Sequence, residues 1–149
     1  MKYVSTRDNS KEYNFEQVFI KGLADDGGLY VPISLKKYSP QELQELKKLS
    51  YNELSTEIIN LFSSDFISKD ELSTLIKKSY STFREKEVVK LSNVGEIKLL
   101  ELFHGPTLAF KDVAMQFIGN LYEYYLTKNN KTINIVVATS GDTGAAAID

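Results

Sequence analysis

Apolar positions recur at helical spacing through the first half of the chain and gather into short continuous runs in the second. Between residues 39 and 80, Leu43 and Leu46, then Leu54, Ile58, Leu61 and Phe62, then Leu72, Leu75 and Ile76 fall three or four apart, as one buried face of a helix requires. Each set follows a serine with glutamate three residues on: Ser39 with Glu42, Ser50 with Glu53, Ser68 with Glu71. Such a serine accepts from the backbone of the first turn while the glutamate reaches back to the serine N–H. The pattern predicts three short amphipathic helices packed on one another as scaffold. Upstream, Tyr3-Val4-Ser5-Thr6 reads as an edge strand, and Asn14 to Gly22 as a short helix with an Asn14/Gln17 capping box and a glycine stop. Asp25-Asp26-Gly27-Gly28 reads as a turn, and Leu29 to Val31 as a strand that Pro32 closes.

The grammar changes near residue 95. After an Asn93-Val94-Gly95 turn, Ile97 and Leu99 to Phe103 form an apolar strand; a helix follows from about Phe110 to Leu126, and Ile133 to Ala138 makes a second strand. Val113, Phe117, Leu121 and Tyr125, spaced by four, give the helix one face for a sheet. Strand, helix, strand is a right-handed βαβ unit of a parallel sheet. The expected fold is α/β: a mostly helical domain over residues 1–94 with short strands, then over 95–149 the first βαβ unit of a parallel sheet continuing beyond the chain end. A strand such as 133–138 needs cover on both faces and neighbours at both edges. The helix opening near Gly144 has no cap at its far end, so the chain is expected to be the N-terminal part of something larger.

Composition narrows the chemistry. Net charge is −2 with both signs interspersed, which speaks against nucleic-acid and anionic-membrane partners. With no cysteine and His104 as the one histidine, disulfide frameworks, zinc fingers and His-based triads drop out, and no metal site is expected. The charged N-terminus holds no apolar run of signal length, and no stretch approaches the roughly 18 apolar residues of a membrane span. A soluble, cytoplasmic protein is expected.

Two segments carry candidate chemistry. Glu101-Leu102-Phe103-His104-Gly105-Pro106-Thr107-Leu108-Ala109-Phe110-Lys111-Asp112 runs from a strand through a turn into a helix, with Lys111 in the first turn. A helix start carries partial positive charge and favours acids, so Asp112 suits it and Lys111 does not. The apolar neighbours Leu108, Ala109 and Phe110 are expected to desolvate the amine, and both effects push a lysine toward its neutral, nucleophilic form. The other reading of Lys111 is a solvated surface lysine. Thr139-Ser140-Gly141-Asp142-Thr143-Gly144 places hydroxyls and backbone N–H groups at the carboxyl end of a strand. By its residues alone it is either an anion-binding loop or a plain β-to-α turn; it matches neither a Walker loop nor a dinucleotide fingerprint.

The Glu101–Asp112 segment resembles the cofactor-lysine segment of threonine synthases, fold-type II enzymes dependent on pyridoxal phosphate. Gly22 to Pro32 and Ser5-Thr6-Arg7 are similar to the same family's N-terminal signature, and Ala138 to Gly144 to its substrate loop. The resemblance implies that Lys111 bonds the cofactor and moves protons, that Asp142 faces the cofactor ring, and that Thr139, Ser140, Gly141 and Thr143 hold the substrate carboxylate. Asp142 is the form typical of threonine synthases; many fold-type II relatives have asparagine there. The implied reaction converts O-phosphohomoserine and water to threonine and phosphate. In the family the loop that grips the cofactor phosphate comes later than residue 149, so this stretch alone is expected to be inactive and to self-associate through exposed sheet edges. Alternatives are another fold-type II lyase, such as a dehydratase, and a non-catalytic module. His104 is as well suited to a structural hydrogen bond as to proton transfer.

Overall fold

Capping chemistry sets the helix starts. Asn14 opens α1 (Phe15–Lys21), Ser39 opens α2 (Pro40–Leu46), and Ser50 opens α3 (Tyr51–Ser63), each with its reciprocal box complete. Ahead of α4 (Lys69–Tyr80), the Ser68 N–H donates to the Glu71 carboxylate at 3.2 Å and the Glu71 N–H to Ser68 Oγ at 3.3 Å. Gly22, at φ +72°, ends α1 by returning its N–H to the Val18 carbonyl. A left-handed stop of this kind suits glycine because it has no Cβ to clash.

The computed structural model describes residues 1–148 and has α/β character. It falls into two compact units that part within α4, between Ser73 and Thr74. In the first, β1 (Tyr3–Ser5) pairs antiparallel with β2 (Tyr30–Pro32), with Tyr3 opposite Pro32 and Ser5 opposite Tyr30. Helix α1 packs on α3. The rings of Phe15, Phe19 and Phe66 cluster with centroids 5.6 to 6.3 Å apart, and Tyr3 is 6.3 Å from Phe15. Tyr3 is buried and donates its hydroxyl to the Phe62 carbonyl at 2.9 Å. Helix α3 buries Thr56 and Ser63, while Leu54, Ile58, Leu61 and Phe62 stay half-buried. Those hydroxyls are tolerated inside because each donates to the carbonyl four residues back, at 2.8 Å and 3.0 Å. Of the other positions expected to face a core, Leu72, Leu75 and Ile76 are buried and Leu43 is exposed.

In the second unit, β3 (Lys90–Val94) and β4 (Ile97–Glu101) form an antiparallel hairpin turning at Gly95 (φ +62°) and Glu96. Residue 95, where the sequence changes grammar, lies in that turn. The chain then enters α5 (Asp112–Asn129) and, later, α6 (Asp142–Ile148), which packs on α5. Leu121 and Tyr125 of α5 are buried, as are Tyr80 and Ala146. The Tyr80 hydroxyl donates to the Val113 carbonyl at 3.0 Å, and Lys78 pairs with Glu123 at 2.6 Å.

The expected βαβ unit is not present among the described residues. The apolar strand after Gly95 finds its partner locally, in β3, and runs antiparallel to it. Residues 133–138 pair with no described strand and lie exposed, Val136 at 95 %. An apolar run becomes a parallel strand only where neighbours supply its edges and both its faces, and here none do. The hairpin is likewise open, with Leu91, Val94, Ile97, Leu99 and Leu100 all exposed. Among the described residues no helix is long and apolar enough to cross a membrane.

Candidate functional site

The link from β4 to α5 is held by side chains reaching back to its own backbone. Glu101, closing β4, accepts from His104 Nε2 at 2.8 Å. The Ser92 hydroxyl from β3, and then His104, hold the Glu101 carboxyl below its ordinary range. The Arg84 N–H donates to the His104 carbonyl at 2.8 Å, so both ends of this residue are engaged in shaping the turn. Gly105 is buried against Asp112: a Cβ there would lie 2.8 Å from Asp112 Cγ and closer still to its Cβ and Oδ2. Asp112 is fully buried, and Thr107 satisfies both of its oxygens, N–H to Oδ2 at 2.9 Å and O–H to Oδ1 at 2.6 Å. Between them Leu108 takes a left-handed φ of +65°. For a leucine that conformation costs roughly 1–2 kcal/mol, which the surrounding bonds must offset.

Lys111 stands one residue ahead of α5, at the cap position, with helical φ −62° and ψ −25° and no side-chain cap bond. Its carbonyl accepts from Ala114 N–H at 3.0 Å and Met115 N–H at 2.8 Å, so the backbone is fixed where the side chain leaves it. The amine lies 4.6 Å from the centroid of the Phe110 ring and forms no ion pair among the described residues. The expected apolar jacket is thinner than the sequence suggests. Lys111 is half-buried, while Leu108 and Phe110 are themselves 51 % and 54 % exposed.

The loop at 139–144 is organised by Thr139, whose Oγ1 accepts from Gly141 N–H at 3.2 Å and Gly144 N–H at 3.0 Å. A Cβ on Gly144 would sit 2.9 Å from that oxygen, and Gly141 adopts φ +137°. The Thr139 hydroxyl therefore shapes the loop by accepting from the N–H groups of Gly141 and Gly144. Ser140, Gly141 and Asp142 are exposed, Thr143 is half-buried, and Asp142 opens α6. Packing of α6 on α5 brings the two helices that these segments open together. Among the described residues, no hydrogen bond or ion pair joins Lys111 to the loop. Sequence reasoning missed the burial of Asp112 and the two hydrogen bonds it accepts from Thr107, one from the N–H and one from the O–H. The available signal was the close spacing of Gly105, a residue without a side chain, and Thr107, a hydroxyl donor, ahead of the acid.

Comparison with known proteins bears on the whole length of the chain. The family profile described as "Threonine synthase N terminus" matches residues 2–80. Threonine synthase of Schizosaccharomyces pombe is 44 % identical over 158 residues, covering 99 % of this chain and 31 % of that protein. Threonine synthase-like 2 of Pongo abelii is 44 % identical over 151 residues, covering 100 % and 31 %. The crystal structure of pyridoxal phosphate-bound threonine synthase from Brucella melitensis superposes with a TM-score of 0.93 at 40 % identity, covering 99 % of this chain and 32 % of that one. The chain thus spans about a third of the length of the relatives it matches. A profile matched over more than half of the chain, with the locked lysine turn following it, places this chain in the threonine synthase family, as a match to its N-terminal portion.

Proposed function

We infer that the natural protein in which this chain occurs is a pyridoxal phosphate-dependent threonine synthase, converting O-phosphohomoserine and water to threonine and phosphate in the cytoplasm. The observation that carries the reading is Lys111: a half-buried primary amine, with no carboxylate partner among the described residues, presented by a turn whose adjacent acid is fully engaged by Thr107. A lysine that must bond a carbonyl group needs an amine not spent in an ion pair, and this donor chemistry fits the cofactor. When bound, the cofactor supplies an electron sink for negative charge developing on the substrate carbons. Lys111 would hold it, and its amine would carry protons at the substrate's α and β carbons. The Thr139, Ser140 and Thr143 hydroxyls, with the backbone at Gly141 once its N–H leaves Thr139 Oγ1, would bind the substrate carboxylate, and Asp142 would face the cofactor ring. His104 keeps the turn in shape through Glu101.

By itself the 149-residue chain is expected to be inactive and to self-associate through the open hairpin and the exposed run Ile133 to Val137. Equal identity to a threonine synthase and to a threonine synthase-like 2 protein favours keeping a second reading, a related pyridoxal phosphate lyase. Borohydride trapping of the cofactor followed by peptide mapping, with Lys111→Ala as control, tests the site. A single label at Lys111 supports it, and labelling elsewhere refutes it. Product analysis separates the reactions: phosphate and threonine from O-phosphohomoserine for a synthase, an α-keto acid for a dehydratase.

A further inference from the structure

We propose that Asp112 is a positioning residue for Lys111, acting through the clamp it closes on Thr107; this rests on the reading of Lys111 as the cofactor lysine. A carboxylate is tolerated in a protein interior only when its oxygens are satisfied. Asp112 is 0 % exposed, and both oxygens are taken by one residue five positions earlier. The bridge closes a ring over residues 107–112, inside which Leu108 is held at φ +65°. Gly105 backs the ring from behind, leaving Asp112 no room to shift toward it.

The consequence falls on the neighbouring residue. Successive side chains at a helix start diverge by about 100°, so anchoring Asp112 inward aims Lys111 away from the core, toward the face where Phe110 lies. Thr107 and Asp112 thus set the direction in which Lys111 leaves the backbone.

The test uses the natural protein in which the chain occurs, carrying Thr107→Ser, Thr107→Val, Asp112→Asn or Asp112→Ala. Three quantities are read: affinity for pyridoxal phosphate from the visible absorption of the lysine-bound cofactor, the rate of borohydride labelling at Lys111, and melting of the cofactor-free protein. An asparagine can accept from the Thr107 N–H with its oxygen and donate to Thr107 Oγ1 with its nitrogen, so it preserves the clamp without the charge. Asp112→Asn and Thr107→Ser are expected to stay within about threefold of the parent in affinity and labelling. Thr107→Val and Asp112→Ala are expected to lose about tenfold or more in both, the equivalent of one buried hydrogen bond to a charged group. Should Asp112→Ala fail to fold, Thr107→Val, which retains the backbone bond, decides. A Thr107→Val protein that melts lower yet binds and labels like the parent assigns the clamp a purely structural role and overturns the proposal. So does an Asp112→Asn protein as impaired as Asp112→Ala, because charge rather than geometry would then matter. A parent protein labelled at a lysine other than Lys111 removes the cofactor reading itself, and the clamp's purpose with it.

Discussion

Replacing Gly105 by alanine tests how tightly the lysine turn is built. The added Cβ would sit 2.8 Å from Asp112 Cγ and nearer still to Asp112 Cβ and Oδ2, closer than the 3.0 Å that real Cβ atoms respect. Relief requires movement of Asp112, but that side chain is fully buried and tied twice to Thr107. Overpacking of this kind costs about 1–3 kcal/mol. Weakening one bond to the carboxylate adds about 1.5 kcal/mol. The expected total is about 2.5–4.5 kcal/mol. Gly119 in α5 supplies the control, since a Cβ there meets nothing within 4 Å. Alanine is the better helix former by up to about 1 kcal/mol, so Gly119→Ala should be neutral to stabilising. Native-state hydrogen exchange of the α5 amides reads both changes locally, whatever the length of the protein. Gly105→Ala should accelerate exchange of the protected amides around Leu121 and Tyr125 about thirtyfold or more, and Gly119→Ala should leave it the same or slower. Exchange in Gly105→Ala within about threefold of the parent would refute the reasoning, because the turn would then have slack that its packing around Asp112 denies.

Two further predictions concern the first unit. The Ser39 backbone N–H, then Lys36, lower the Glu42 pKa from 4.5 to about 2. A lowered carboxyl contributes stability that is present above pH 4.5 and lost as pH falls toward 2. Glu42→Gln should therefore be less stable than the parent near neutrality and converge on it in acid; parallel denaturation curves at every pH would contradict this. Burial, and then Asp65, raise the Tyr3 hydroxyl from 10.0 to about 12, so its contribution holds below pH 10 and is lost as pH rises through 12. Tyr3→Phe removes the bond to the Phe62 carbonyl and should cost about 1 kcal/mol in equilibrium denaturation at neutral pH. It should also remove the alkaline part of the parent's stability profile.

Helix starts were legible in the sequence because their causes are local. Asn14 with Gln17, Ser39 with Glu42, Ser50 with Glu53 and Ser68 with Glu71 each satisfy backbone groups within three residues, and no distant partner can change that arithmetic. The glycine stop at Gly22 belongs to the same class. The lysine segment, too, could be read from residue order, since a contiguous strand, turn and helix carry it. Tertiary structure decided what depends on partners. Among the described residues the run 133–138 has a strand's composition but no ladder, and the strand after Gly95 pairs with β3, because strand identity rests on edges that the segment itself does not contain. Which face of α3 is buried, and that it buries Thr56 and Ser63, follows from what packs on it. The burial of Asp112 is of the same kind: a short acid after a lysine looks like a helix-start preference until folding places Gly105 behind it and Thr107 across from it, and its role passes from the helix to the lysine.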